Sequence, residues 1–395
     1  MPRANTLTWE QKLQLIAEFR AAERSFAEIC RRYRISRQTG YKWWRRFQAG
    51  RAPALQVRSR RPRRNSRAWS ALWLERIVQL RRRQPRWGPK KLHAVLRRKH
   101  PRSRLPARST IGVVLRRAGL VQRRPLRRRG PTVSARPAAR VRAVNDVWTM
   151  DFKGWFRTRQ GERCEPLTVR DLKSRYGLLV RLLPDQKTWR VQRQLQSLFQ
   201  QKGQPQRLRS DNGSPFASTG PAGLSRLSAW LITLGITVEF TRPARPQDNG
   251  SHEQWHRELK ADTLPAATTR AGQQTRSTRW LWRYNHQRPH ENLGQTTPAS
   301  HYHRSRRTYR GARPPCYPKA WAVRRARSNG EIRWQGRLRF IGEAFAGHLL
   351  GLRRHRRGIW RVYFYHVFLG ELHDHDQGSL RPVVCSHRKA KPRKV

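Results

Sequence analysis

The sequence predicts a multidomain chain: all-α helix-turn-helix units first, a central α/β domain on a mixed sheet, and a small β-rich module last. Three observations predict it. Apolar residues recur at helical spacing up to about residue 120, alternate as strands mixed with helices from Asp146, and break into glycine-punctuated runs beyond 319. The carboxylates divide the chain similarly: five in residues 1–145, thirteen in 146–291 and five from Glu331 onward. Two Pro- and Arg-rich stretches, 51–68 and 122–145, read as basic linkers between the blocks.

The charge says what such a chain meets. Its 395 residues carry 88 Lys+Arg against 23 Asp+Glu, a formal net charge of +65. Self-repulsion on that scale opposes compaction unless a polyanion neutralises it. With 16 Trp, 12 Phe and 9 Tyr, a disordered basic tail is excluded. The expected partner is nucleic acid. Cys30, Cys164, Cys316 and Cys385 lack pairing-like spacing and no Cys-x-x-Cys occurs. A disulfide framework and a zinc ribbon are therefore not expected. With no run of about 18 apolar residues, no membrane partner is expected, and the scattered cysteines fit a reducing cytoplasm. No G-x-x-x-x-G-K-[ST] occurs, so no nucleotide cofactor is expected.

Residues 1–50 read as a helix-turn-helix domain. Leu13, Ile16 and Phe19 mark one helix, and Phe26, Ile29 and Cys30 a second between Ser25 and Tyr33. After a break at Arg34, where glycine is common, Ser36 caps a third helix running through Phe47. That helix would offer Arg37, Gln38, Tyr41, Lys42 and Arg45 to a major groove. The alternative is a small three-helix core with a solvated basic face. Residues 69–121 read as a second, winged-type unit, with Trp87-Gly88-Pro89 opening one helix, Ser109 capping another and Gly119 ending it.

From Asp146 the predicted order is three strands (147–153, 167–172, 176–183), helix 188–201, strand 207–210, helix 224–234, strand 236–241, then helices 251–263 and 275–284. That is the order of a ribonuclease H-like mixed sheet, assigned to 146–302. Residues 319–383 read as a small SH3-like barrel with basic loops, and 384–395 as a basic tail.

Three segments carry the chemistry. Strand alternation puts Asp151 on one face with Val147, Thr149 and Lys153. Asp211 stands in Ser210-Asp211-Asn212-Gly213, and Glu253 follows Asp248-Asn249-Gly250. Taken singly these have plain structural readings: Asp211 as a turn residue, Glu253 as a first-turn helix carboxylate pairing with Arg257. Together they suit phosphodiester chemistry, where two hard cations held by oxygen ligands bridge the attacked phosphate. Glu253, Arg257 and Lys260 share one helix face, a carboxylate beside two phosphate-seeking cations. His256 lies beside that face and is expected to be solvated.

The stretches WTMDFKGWF, RSDNGSPFAS, PQDNGSHEQWHRELK and YNHQRPHENLGQTTPASHY resemble the integrase core of DDE transposases from bacterial insertion sequences, relatives of retroviral integrases. ISRQTGYKWWRRF and PRWGPKKLHAVL resemble that family's helix-turn-helix segments. The likeness spans about residues 8–302. It implies Asp151, Asp211 and Glu253 as the catalytic trio and metal ligands, holding two Mg²⁺ or Mn²⁺ ions. It also implies recognition of terminal inverted repeats, 3′-end cleavage, strand transfer into target DNA, and a homo-oligomer on DNA. The rival expectation is a decayed or domesticated transposase acting only as a sequence-specific DNA-binding protein.

Overall fold

The computed structural model describes residues 7–56, 69–121, 141–241, 250–376 and 378–383. Most of both basic linkers, the Pro246–Asn249 part of the third motif and the basic tail lie outside the described residues. The chain divides into two compact units, Met1–Ser70 and Ala71–Val395.

The first unit is three helices, α1 (Trp9–Ala21), α2 (Phe26–Arg32) and α3 (Arg37–Gly50). Each start is set by a side chain. Thr8 and Ser25 form reciprocal capping boxes with Gln11 and Glu28, and Ser36 accepts the amide of Thr39. Arg34 makes the turn with a left-handed backbone, φ +51°. Leu15, Ile16, Ile29 and Leu55 form the core. Leu55 corrects the expected linker: Ala52–Leu55 is a 3-10 turn, and its Leu55 is fully buried because a lone leucine finds apolar cover here. Gly40 lets α3 approach α2, since a Cβ there would lie 2.6 Å from Cys30 Sγ.

The second unit opens with α4 (Ala71–Arg83), α5 (Pro89–Lys99) and α6 (Arg108–Arg117) around Ile77, Leu92, Leu96, Ile111 and Leu115. Gly88 and Pro89 start α5 as expected. Ser109 is not the cap of α6: the helix starts a residue earlier, behind Ala107, with no side-chain cap. Described residues 69–121 are helices and connections and contain no strand that could serve as a wing.

The core domain follows with β1 (Val147–Phe152), β2 (Phe156–Arg157), β3 (Arg163–Asp171), β4 (Gly177–Leu183), α7 (Thr188–Lys202), β5 (Arg207–Ser210), α8 (Arg226–Thr233), β6 (Thr237–Phe240), α9 (Gly250–Thr263) and α10 (Arg270–His286). The sheet runs β2-β3-β1-β5-β6, with β4 also paired to β3. β1 is antiparallel to β3 and parallel to β5, so the sheet is mixed, as in a ribonuclease H-like core. Trp148, Met150 and Leu208 pack with Val191, Leu195 and Leu227 of α7 and α8. On the other side Val180 packs with Trp255, Leu259, Trp280 and Tyr284 of α9 and α10. β1 is therefore buried from Val147 through Met150 on both faces.

The last module holds a five-stranded antiparallel sheet and a two-stranded hairpin. The sheet is built from β7 (Ala322–Arg325), β10 (Leu349–Arg356), β11 (Ile359–Phe364), β12 (Val367–His373) and β13 (Arg381–Pro382). The hairpin is β8 (Glu331–Trp334) with β9 (Arg337–Phe340). Its core, with Ile332, Leu350, Val362 and Phe364, continues into Ala229 and Ile232 of α8.

Candidate active site

The β1–β5 register fixes two carboxylates. Val147 pairs with Arg207, Trp148 with Leu208 and Thr149 with Arg209. Asp151 is near the end of β1 and Asp211 directly follows β5, so both stand at the C-terminal ends of adjacent parallel strands, which lie about 4.8 Å apart. Both carboxylates are half-buried, and Asp211 Oδ1 accepts the Gly213 amide at 3.2 Å.

Most other central carboxylates hold the fold. Asp146 and Glu239 grip Arg207, and Glu239 also grips Arg209 across β5 and β6. Glu162 meets Arg270, Glu165 meets Arg163, Asp185 meets Arg190 and Glu258 meets Arg288. Asp262 meets Arg86 and Glu291 meets Lys90, tying the preceding helices to the core. Asp171 accepts from the Asn145 amide and from the Ser174 amide and hydroxyl; burial still pushes its carboxyl up. Asp171 is thus structural, and Arg175 lies near enough to feel its charge. Beyond these nine there remain Asp248, outside the described residues, and Asp151, Asp211 and Glu253.

Helix α9 reaches β1 through two histidines. His252 Nδ1 lies 2.9 Å from Thr149 Oγ1, and His252 Nε2 lies 2.7 Å from Thr168 Oγ1. His256 Nε2 lies 2.7 Å from the same Thr168 oxygen, which donates to the Asp151 carbonyl at 2.9 Å. The Thr168 hydroxyl has one proton for these three neighbours, so at least one Nε2 donates to its oxygen. His256 Nδ1 lies 3.8 Å from Asp151 Oδ2. Burial, with Lys153 and Arg170 nearby, pushes His256 down to about 3, and burial with His256 and Arg170 holds His252 well below its usual value. Both shifts favour the neutral imidazole. His256 is buried, which corrects the expectation of a solvated side chain: its ring serves the α9–β1 contact.

Sequence reading missed this clamp. Its signal was His252-Glu253-x-x-His256, which places both imidazoles on one helix face. In a helical metallopeptidase that motif holds zinc; here the Thr168 hydroxyl stands between the two Nε2 atoms.

Glu253, Arg257 and Lys260 are exposed on α9. Among the described residues, the group of three possible ligands drawn within 4.8 Å is Asp151, His252 and His256. Asp211 and Glu253 lie outside it, and a two-ion site spreads its ligands wider than one coordination shell, its ions being about 3.5–4 Å apart. The Asp151–Asp211–Glu253 donor set is all hard oxygen, which suits Mg²⁺ or Mn²⁺. On α3, Arg37, Gln38, Tyr41, Lys42 and Arg45 are all exposed.

This fold and strand-end site define an integrase-type catalytic core. Residues 141–246 and 234–298 each match an integrase core domain, residues 39–115 a homeodomain-like domain and residues 11–63 a helix-turn-helix domain. The chain thus carries an integrase core domain with helix-turn-helix domains ahead of it, and it is similar to proteins of insertion elements. It is 27% identical over 226 residues to the insertion element IS407 uncharacterized 31.7 kDa protein of Burkholderia multivorans, covering 57% of this chain and 78% of that one. It is 26% identical over 226 residues to the IS476 uncharacterized 39.2 kDa protein of Xanthomonas euvesicatoria, covering 57% and 62%.

Among solved structures, the HTLV-2 integrase catalytic core domain in complex with magnesium aligns at 15% identity and TM-score 0.31, over 42% of this chain and all of that one. The simian T-cell lymphotropic virus intasome in complex with PP2A regulatory subunit B56 gamma aligns at 15% and 0.36, over 74% and 97%. No helix among the described residues is long and apolar enough to cross a membrane.

Proposed function

We propose that the chain is a DNA transposase that binds the terminal inverted repeats of its element, cleaves their 3′ ends and joins them to target DNA. The observation that carries this reading is the position of Asp151 and Asp211 at the C-terminal ends of two paired parallel strands, with α9 held onto the same β1 face by His252. Asp151, Asp211 and Glu253 would hold two Mg²⁺ or Mn²⁺ ions. When bound, such ions polarise the attacked phosphate and lower the pKa of the attacking hydroxyl. Arg257 and Lys260 hold the DNA end by its phosphates. The α3 residues Arg37, Gln38, Tyr41, Lys42 and Arg45 read the repeats in the major groove. The β module, read as SH3-like, adds a basic surface, and pairing two ends calls for a homo-oligomer on DNA.

The test is strand transfer. Full-length protein, Mg²⁺ and duplexes ending in the element's repeats should convert supercoiled plasmid into products joined at the repeat 3′ ends. Sequence-specific binding without any joining or cleavage, in Mg²⁺ or Mn²⁺, would leave a binding protein and overturn the reading.

A further inference from the structure

We propose that Trp155 is a stacking platform for an unpaired nucleobase of the DNA end held at this site. The proposal rests on the transposase reading and adds a contact to a base. Trp155 lies four residues beyond Asp151, where Gly154, at φ +82°, turns the chain from β1 toward β2. More than half of its surface is exposed, at 56%. Two guanidiniums lie over the ring, Arg163 at 5.0 Å and Arg157 at 6.0 Å from its centroid, and the remaining surface is open to solvent. Both are anchored: Arg163 donates twice to Glu165 Oε1, and Arg157 donates to the Gly161 carbonyl.

Beside the ring opens a cavity of about 110 Å³, with Pro166, Leu182 and Leu259 in its walls and Lys153 and Lys260 among its lining. An exposed aromatic plane, an apolar recess and four cations match the two halves of a nucleotide, a π-face and a phosphate. A neutral or basic partner would offer no anion to those cations. The position along the strand follows from α9. Lys260 lies seven residues from Glu253, about 10 Å along the helix axis. At about 3.4 Å per nucleotide, the stacked base is about three nucleotides from the scissile phosphate. An end whose terminal pairs are opened could present such a base, and stacking would offset part of the unpairing cost.

The test uses the full chain with Asp151→Asn, which binds without cutting. The probe is a duplex with a three-nucleotide single-stranded 3′ end carrying 2-aminopurine, and a fluorescein duplex reports binding by anisotropy. The expected result is quenching of 2-aminopurine on binding. Adding Trp155→Ala should abolish it and weaken binding of the open end about tenfold, with blunt-duplex binding retained. Trp155→Phe should keep part of the quench. Binding without quench, or a quench that survives Trp155→Ala, overturns the proposal. So does a loss of self-association in Trp155→Ala without DNA, which would make the ring a contact between copies. If the parent binds no DNA at all, the transposase reading fails first, and anisotropy reports that separately.

Discussion

Replacing Thr168 by Val should loosen α9 from the sheet. The side chain keeps its shape but loses the oxygen that His252, His256 and the Asp151 carbonyl share as a hydrogen-bond partner. Thr168 and His252 are fully buried and His256 nearly so, so water cannot replace the lost partner. A buried donor left unmade costs about 1–3 kcal/mol. His256 can recover part by carrying its proton on Nδ1, toward Asp151. The net loss is about 2–4 kcal/mol, and 2 kcal/mol corresponds to about 30-fold in an opening equilibrium. Hydrogen exchange by mass spectrometry on the full chain reads this directly: α9 amides should exchange at least about 30-fold faster, with α1–α3 unchanged. A double-mutant cycle with His256→Leu should show coupling of about 1–2 kcal/mol. Exchange in α9 within about twofold of the parent would refute the clamp.

Other expectations follow from the same coordinates. Gly40→Ala puts a Cβ against Cys30 Sγ and Phe26, overpacking by about 1–3 kcal/mol; thermal unfolding and repeat-DNA binding should both suffer. Lys42→Ala on the exposed α3 face should reduce the slope of log K against log salt by about 0.9, checked by anisotropy titration. Lys91 is pushed down from 10.5 to about 8 by burial and then by Arg288. Between those values the unfolded chain binds more protons, so stability should rise with pH from about 8 to 10.5. Lys91→Met should flatten that rise in urea titrations and add about 1–2 kcal/mol at pH 7, discounted for partial exposure.

Legibility in the sequence tracked the range of the interactions. Helix starts at Thr8, Ser25 and Ser36 are local hydrogen bonds, and their residues announced them, Ser25 and Ser36 in the reading itself. The spacing of Asp151 and Asp211 was visible as a number, but its meaning, two carboxylates at the ends of paired parallel strands, needed β5 placed beside β1. The alternation of β1 was read correctly. Yet the face carrying Thr149 and Asp151 meets α9 rather than solvent, so a long-range contact decided what alternation left open. For the same reason His256 was misjudged: its partner Thr168 lies 88 positions away. Leu55 escaped because an apolar residue in a Pro- and Arg-rich stretch carries no periodicity. Ser109 failed as a cap because the helix found its start at Ala107 without one.

The central claim is that Asp151, Asp211 and Glu253 act together in cutting DNA. The most direct measurement is Mg²⁺-dependent nicking of a duplex bearing the element's terminal repeats, with Asp151→Asn, Asp211→Asn and Glu253→Gln assayed beside the parent. The account predicts cleavage by the parent, its loss in all three variants, and repeat binding retained in each. Cleavage that survives any one substitution at parental rate would contradict it.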